Sequence, residues 1–340
     1  KNYYNLPYVC TWLGTNLELI SKDLYCGRLG MAGQRGSNII VDKSDLLIVL
    51  GSHLPASQTG VNFDLFSKKS KKIIINIDQK EIKNSKLNFD LFINCDLKEF
   101  FDQFKFIKEN KKKQKTNFLK NIQKLNKVDS SHKIIKNKNY INQYIFLDYL
   151  NTYSKGNESY VIDGGGTNVY ISYQALKLKK KQKIFHSSTI CSMGSGLPES
   201  IGASVATKKK IICLIGDGSL MFNLQELETI KKNKMDIKII VFNNDGYVSI
   251  RDTQRQFLNK LFLGSSVSGN LSVTNIKKIS KAFGLKHSLI KNYDNIAKKI
   301  IRFLDDKGPN ILEVKINPNQ QLAPKQGFIK EKVNGISKSN

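Results

Sequence analysis

Long hydrophobic runs are missing from these 340 residues. The longest, 46–50 and 237–242, fall far short of the roughly 18 apolar residues a membrane span requires, and no secretory leader opens the chain. A soluble, cytoplasmic protein is the expectation. Paired cysteines are missing too. Cys10, Cys26, Cys95, Cys191 and Cys213 are odd in number, show no CxxC spacing and sit mostly in apolar runs, which excludes a zinc ribbon or a disulfide scaffold and points to free thiols in a reducing compartment. Arginine is scarce: only Arg28, Arg35, Arg251, Arg255 and Arg302 stand among 55 basic residues, so lysine carries the net charge of +27. Bidentate recognition of phosphates and base edges draws on arginine, and the lysines travel with asparagine and isoleucine along the whole chain. The excess therefore reads as solvated surface, with no nucleic acid and no membrane as partner. Residue 1 is lysine and the first methionine is Met31, so a fragment or a processed chain is expected.

What is present is enough apolar sequence, 40%, to fill two or three cores in 38.6 kDa. Up to residue 108 short β-type runs at 8–13, 46–51, 72–77 and 91–94 alternate with helical stretches such as 97–107. The dense basic run 105–138 carries twelve lysines, yet keeps apolar spacing at Phe118, Leu119, Ile122 and Leu125, the pattern of a solvated helix. Alternation then resumes, with strands expected at 160–163, 211–215, 237–243, 286–290 and 311–316 and helices at 169–179, 196–207, 220–232, 273–283 and 293–304. The fold class is α/β: two doubly wound parallel-sheet domains, 1–108 and 140–340, joined by a lysine-rich helical linker, 109–139.

Glycine clusters fall where strands end, the place doubly wound sheets offer to ligands. The sharpest is Gly216-Asp217-Gly218-Ser219, directly after the run 211–215, with Asn243-Asn244 ending the next strand. Asp217 and Asn244 stand 27 residues apart, the length of one strand-turn-helix-strand circuit, so a carboxylate and an amide oxygen can converge on one site. Both are hard oxygen ligands suited to Mg²⁺, which keeps phosphate oxygens and water among its partners. Backbone amides of Gly218, Ser219 and Leu220 at a helix start would face an anion, and the glycines permit its close approach. A Mg²⁺-bridged diphosphate fits this arrangement. Taken singly, Gly-Asp-Gly and Asn-Asn are ordinary turns. His53, His132, His186 and His287 have no paired base or nucleophile nearby in sequence, so surface or core roles are expected of them.

The whole run 216–244, GDGSLMFNLQELETIKKNKMDIKIIVFNN, resembles the thiamine diphosphate fingerprint of the acetolactate synthase and pyruvate decarboxylase superfamily. Residues 192–203, SMGSGLPESIGA, look like that family's MGxGLPxxIGA stretch, and the resemblance implies that Met193 props the cofactor while backbone around Cys191 and Met193 holds its aminopyrimidine. Asp163-Gly164-Gly165-Gly166-Thr167-Asn168 resembles the first diphosphate-contacting loop, with Thr167 and Asn168 where acetolactate synthases carry Gln-His. The resemblance implies cofactor contacts from Gly166, Thr167, Asn168, Cys191, Met193, Gly216, Asp217, Gly218, Ser219, Asn244, Gly246 and Tyr247, with Asp217, Asn244 and the Gly246 carbonyl on the metal. Residues 27–33, 37–38, 45–51 and 75–82 resemble the superfamily's central domain, so the likeness covers nearly the whole chain. That domain holds FAD in acetolactate synthases partly through an arginine just past a strand-ending glycine. Here 51–60 contains none, which argues against FAD. The pyrimidine-binding domain, which would supply the catalytic glutamate from a partner subunit, is expected to be missing. Catalytic residues are therefore not assigned, and the fragment alone is expected to be inactive.

The implied chemistry is decarboxylation of a pyruvate-like 2-oxo acid and carboligation to a carbonyl acceptor. Acceptor choice should lie in 245–255, where Ser249 and Thr253 stand in place of the methionine and tryptophan of biosynthetic acetolactate synthases. The wording resembles synthase-like enzymes that act beside nucleotide-sugar genes, which suggests a nucleotide-sugar ketone as acceptor. Arg251, Gln254 and Arg255, with Ser249, are candidates for holding an anionic substrate group; the alternative is that they face solvent or a neighbouring subunit. The resemblance implies a homodimer or homotetramer. Other readings are a biosynthetic acetolactate synthase, a simple 2-oxo acid decarboxylase, a catalytically inactive fold relative and a basic nucleic-acid-associated protein. A dinucleotide-binding oxidoreductase would require a GxGxxG followed by a ribose-binding acid, which the chain lacks.

Overall fold

The computed structural model describes residues 6–17, 24–104, 116–129, 139–187, 189–272, 274–323, 328–330 and 337–339. The chain divides into two units, Lys1–Ser130 with Ala323–Asn340, and Ser131–Leu322. Both are α/β, and their main sheets are entirely parallel.

In the first unit β1 (Tyr8–Cys10) pairs with β2 (Tyr25–Arg28), and after α1 (Arg35–Asp42) comes a sheet of β3 (Leu46–Leu50), β4 (Lys71–Asn76) and β5 (Leu91–Asn94), with α2 (Ala56–Thr59), α3 (Gln79–Lys83) and α4 (Leu97–Phe104) interleaved. Ile74 and Ile75, neighbours on β4 that point to opposite faces, are both fully buried, as a central strand covered on two sides requires. The turn between β2 and α1 is stapled by Asn38, which accepts from the Gly30 amide at 3.1 Å and donates to the Gly30 carbonyl at 2.9 Å. The lysine-rich stretch contributes α5 (Thr116–Asp129), and this helix does more than connect: Leu119 and Ile122 are buried beside Cys26, and Gln123 Nε2 donates to Tyr25 O at 3.0 Å. Positions 105–115 and 130–138, including His132, lie outside the described residues. The strand expected over 8–13 stops at Cys10, because the chain turns into a 3₁₀ helix at Leu13–Asn16. A short antiparallel pair, β12 (Phe328–Lys330) with β13 (Ser337–Ser339), belongs to this unit.

The second unit runs α6 (Gln143–Tyr153), β6 (Ser159–Ile162), α7 (Gly166–Ala175), β7 (Ile184–Phe185), α8 (Gly196–Thr207), β8 (Ile211–Gly216), α9 (Asp217–Leu220), α10 (Glu226–Lys232), β9 (Ile237–Asn243), α11 (Val248–Phe257), α12 (Ile276–Ala282), β10 (Lys286–Ile290), α13 (Ile296–Asp305) and β11 (Asn310–Lys315). The six strands lie in the order β10-β11-β9-β8-β6-β7. Odd-numbered residues of β8 and β9, Ile211, Cys213, Ile215, Ile237, Ile239 and Val241, pack with Leu197, Leu227, Ile230 and Ile276 of α8, α10 and α12. The even-numbered Leu214, Ile240 and Phe242 are equally buried on the other face, where Phe146 of α6 meets Phe242 edge-on at 5.6 Å. Burial on both faces explains why these strands read as unbroken apolar runs.

One helix expected over 220–232 is three pieces: α9, a 3₁₀ turn at Met221–Asn223 and α10. Asn223 accounts for the break, since its side chain donates to Gly194 O at 3.0 Å and holds the turn toward another loop. Helix α7 starts at Gly166, three residues earlier than its apolar pattern predicts, because Gly165 enters it with φ of 78°.

Candidate functional site

Four segments close a ring at the carboxyl edge of the second unit's sheet. The first follows β6, the second precedes α8, the third follows β8 and the fourth follows β9. A Cβ on Gly164 would stand 2.1 Å from Ser192 O, and one on Gly165 would stand 2.7 Å from Met193 Cγ, so the glycine triplet lies flat against residues 191–193. A Cβ on Gly194 would stand 2.5 Å from Phe222 Cβ, which joins the second segment to the third. The Tyr247 ring lies on Gly218, where a Cβ would come within 2.4 Å of Cε1, and the Gly246 amide donates to Asp217 Oδ2 at 3.0 Å. Ser249 Oγ, 4.0 Å from a Cβ built on Gly166, returns the fourth segment to the first. Of the residues expected at the site, Gly166, Cys191, Met193, Asp217, Gly218, Gly246, Tyr247 and Ser249 are thus brought together by these contacts.

Strands β8 and β9 pair with Gly216 opposite Phe242, so Asp217 and Asn244 leave neighbouring strand ends. Asp217 is buried; that burial pushes its carboxyl up to about 6, against the opposing pull of the Gly246 and Gly218 amides. Asn244 Oδ1 is buried with no hydrogen-bond partner. One oxygen pair that is costly to leave charged and one amide oxygen with no donor are together what a bound divalent cation would satisfy. Among the described residues no group of three or more His, Cys, Asp or Glu side chains could hold a metal by itself. A cation here would therefore complete its shell with oxygens from outside the carboxylate set, the habit of Mg²⁺ on a phosphate-bearing ligand.

Thr167 and Asn168 are buried in the first turn of α7. Asn168 ties the site to its frame: Nδ2 donates to Leu214 O at 2.8 Å, and Oδ1 accepts from Gln143 Nε2 at 3.2 Å and Ser172 Oγ at 3.3 Å. Ser219 is buried in α9 behind Gly216.

Cys191 has φ of 56°, and its sulfur accepts from the Gly165 amide at 3.3 Å. Its other neighbour is His186 Nε2 at 3.7 Å, while His186 Nδ1 sits 2.8 Å from Ile162 O. A proton on Nδ1 satisfies that carbonyl and leaves Nε2 to accept from the thiol. Burial lowers the His186 pKa and raises that of Cys191, so both groups are held neutral.

Of the side chains considered for an anionic group, Arg251, Gln254 and Arg255 are engaged within the chain. Arg251 is buried and donates to four backbone carbonyls. Gln254 donates to Leu263 O at 2.9 Å and accepts from Ser265 Oγ at 2.5 Å, and Arg255 pairs with Asp252 while reaching Asn319 Oδ1 at 3.3 Å.

Asp163 and Glu199 lie within two of the segments that carry the resemblance, yet the sequence assigns neither a role of its own. Asp163 ends β6 almost wholly buried, with Oδ1 accepting from the Gly196 amide at 2.9 Å and Oδ2 without a hydrogen bond of its own. Its carboxyl is pushed up to about 7 by burial. Glu199, in the first turn of α8, has its carboxyl raised by burial as well. The sequence signals for Asp163 are its place between a strand and three glycines and in the loop likened to the first diphosphate-contacting loop.

Residues 163–314 match the model of the C-terminal thiamine pyrophosphate-binding domain of thiamine pyrophosphate enzymes, and residues 2–104 match that of their central domain. The acetolactate synthase large subunit of Porphyra purpurea is 26% identical over 324 residues, covering 94% of this chain and 54% of that protein. The isozyme 1 large subunit of Escherichia coli (strain K12) is 26% identical over 321 residues, with 94% and 55% covered. Chloroplastic acetolactate synthase 1 of Nicotiana tabacum is 28% identical over 339 residues, with 96% and 50% covered. The chain spans about half the length of the curated relatives it matches. With two family models in chain order, and with the ring of glycine loops built around Asp217 in the matched C-terminal domain, the chain belongs to the thiamine pyrophosphate enzyme family.

Proposed function

We propose that the intact protein is a thiamine diphosphate- and Mg²⁺-dependent enzyme that decarboxylates a pyruvate-like 2-oxo acid and joins the remaining fragment to a carbonyl acceptor, with a nucleotide-sugar ketone as the acceptor class. The observation that carries the cofactor half of this reading is the orphaned Asn244 Oδ1 beside buried Asp217 at adjacent strand ends. When bound, thiamine diphosphate supplies the nucleophilic carbon and the electron sink for decarboxylation.

In this reading Asp217, Asn244 and the Gly246 carbonyl hold the metal. Gly166, Gly216, Gly218 and Ser219 line the diphosphate, and Thr167 and Asn168 support that loop. Met193 and the Cys191 backbone seat the ring system, which Tyr247 closes over. The acceptor side is supported by what is small on α11: Ser249 faces Gly166, and Thr253 is exposed, its hydroxyl on Ser249 O at 3.1 Å. Small polar side chains there leave room for an acceptor bulkier than a second 2-oxo acid. The family resemblance supports a homodimer or homotetramer, with the catalytic glutamate contributed from another subunit, and a cytoplasmic location. No helix among the described residues is long and apolar enough to cross a membrane.

The test is calorimetric titration of thiamine diphosphate into the full-length protein with and without Mg²⁺, beside Asp217→Ala, followed by CO₂ release from pyruvate with and without keto-sugar acceptors. Mg²⁺-dependent binding that the variant loses is the expected result. A folded wild-type protein that binds no thiamine diphosphate would overturn the reading; binding without acceptor-dependent product would overturn its acceptor half.

A further inference from the structure

The segment that leaves β9 carries the groups assigned to the metal, and something must hold it in shape. Its backbone is strained: Asp245 has φ of 57° and Gly246 of 120°, and a Cβ on Gly246 would stand 2.5 Å from Leu271 Cδ2 and 2.7 Å from Ser265 O. The side chain beneath it is Arg251, one helical turn on. Arg251 Nη2 donates to Asn244 O at 2.9 Å and to Pro318 O at 3.0 Å, while Nη1 donates to Ser265 O at 2.6 Å and to Asp245 O at 3.1 Å. The guanidinium therefore grips the backbone of the very residue whose side-chain oxygen is left buried without a partner. Ser265 O also accepts the Tyr247 amide at 3.1 Å, so the loop at 265 serves as the anvil for both.

A guanidinium that recognises a carboxylate or phosphate offers two parallel N–H groups. All four terminal N–H directions of Arg251 are spent on carbonyls, and only the buried Nε–H has no partner. Gln254 likewise donates to a backbone carbonyl, Leu263 O, and accepts from Ser265 Oγ, whereas Arg255 is engaged by the Asp252 carboxylate and Asn319 Oδ1.

We infer that Arg251 is a positioning residue: it clamps the backbone of Asn244 and Asp245 to Ser265 and Pro318 so that the Asn244 side chain is held ready for the cation, and it does not read a substrate anion. This rests on the assignment of Asn244 to the metal under the proposed function. Lysine cannot replace it, because an ammonium has three donors on one point and cannot span four carbonyls in a plane.

The test uses the full-length protein and Arg251→Lys, with Arg251→Ala as second variant, in two arms. Hydrogen exchange without cofactor reads the clamp: amides 244–247 should exchange faster in both variants while β8 and β9 keep wild-type protection. Titration of Mg²⁺ at saturating thiamine diphosphate reads its consequence: the apparent Kd should rise by about tenfold or more in Arg251→Lys, with little change in the KM for a 2-oxo acid measured at saturating Mg²⁺. Wild-type exchange at 244–247 in a folded variant would overturn the inference. So would an unchanged Mg²⁺ Kd with a raised KM, the mark of a substrate-reading arginine, or a loss of protection in loop and strands together, the mark of a general structural role. A wild-type protein without Mg²⁺-dependent binding would sink the metal assignment instead, and the exchange arm alone would then decide the clamp.

Discussion

Replacing Asp163 by asparagine should make the cofactor-free protein more stable at alkaline pH and leave it nearly unchanged at acid pH. Asp163 is 1% exposed, accepts the Gly196 amide through Oδ1 and has no hydrogen bond on Oδ2. Burial pushes its carboxyl up to about 7 from an ordinary 3.8; the Gly196 amide, the nearby Ser219 hydroxyl and the Gly194 amide offset part of this, and the charge of Glu199 adds to it. The folded chain thus keeps a proton that the unfolded chain releases near 3.8. Between those two values the native state binds more protons, so stability falls as pH rises. The stabilisation is complete below about 3.8 and is lost once pH passes about 7. The span corresponds to on the order of 4 kcal/mol at pH 8.5.

Asparagine has no proton to lose and keeps an oxygen for the Gly196 amide. The stability difference, variant minus wild type, should therefore climb by about 2 to 4 kcal/mol between pH 4.5 and 8.5, part of it through Glu199, which is freed of a like charge. Urea denaturation of both proteins in chelator, followed by circular dichroism at half-unit pH steps, measures it. Titrating groups not coupled to Asp163 cancel in the difference. A difference that stays flat across this range would refute the reasoning, because it would mean that Asp163 ionises as freely in the fold as in the unfolded chain.

Three further outcomes follow from packing and buried charge. Gly218→Ala puts a Cβ 2.4 Å from Tyr247 Cε1, so it should cost about 1–3 kcal/mol and weaken Mg²⁺-dependent cofactor binding, read by thermal shift with and without ligand. Lys238→Met removes a fully buried ammonium that serves Asp306 O at 2.5 Å, Gly308 O at 2.6 Å and Asp236 Oδ1 at 2.9 Å, leaving carbonyls without donors; a loss of about 2–4 kcal/mol in chemical denaturation is expected, and a neutral result would contradict it. Ile122→Ala should destabilise the first unit by about 2–4 kcal/mol, seen by limited proteolysis, since Ile122 is 2% exposed beside Cys26.

Much of the second unit was legible because its central strands are buried on both faces and so announce themselves as apolar runs. The expectations for 237–243 and 286–290 coincide with β9 and β10, and 196–207 with α8. Short elements were not legible: β7 is two residues long, and β2, Tyr-Cys-Gly-Arg, has no strand pattern because its burial comes from α5, some ninety residues away in sequence. The lysines of α5 hid its role, since charge reports only the wet face of a helix and Leu119 and Ile122 report the other.

The site divides along the same physical line. Glycines and Asp217 could be found because their reason for being there is local: a strand end, a turn, a close backbone approach. The partners of the α11 side chains could not, because a polar side chain in sequence carries no record of what will neutralise or satisfy it. Arg251, Gln254 and Arg255 are candidates for an anion by their place on 245–255, with solvent or a neighbouring subunit as the alternative, whereas the acceptors they meet stand far off in sequence: Ser265 and Pro318 lie 14 and 67 residues beyond Arg251, and Asn319 lies 64 beyond Arg255. The strand order, which returns the chain after β11 to the end of β9, brings Pro318 and Asn319 under the helix, and Ser265 arrives there from the segment that follows α11. His186 and Cys191 make the same point at shorter range, because the His186 ring that meets the Cys191 sulfur is itself held by Ile162 O at the end of β6. A buried arginine whose four terminal N–H groups meet backbone carbonyls is a backbone staple, and the loop it staples is the one that carries Asn244.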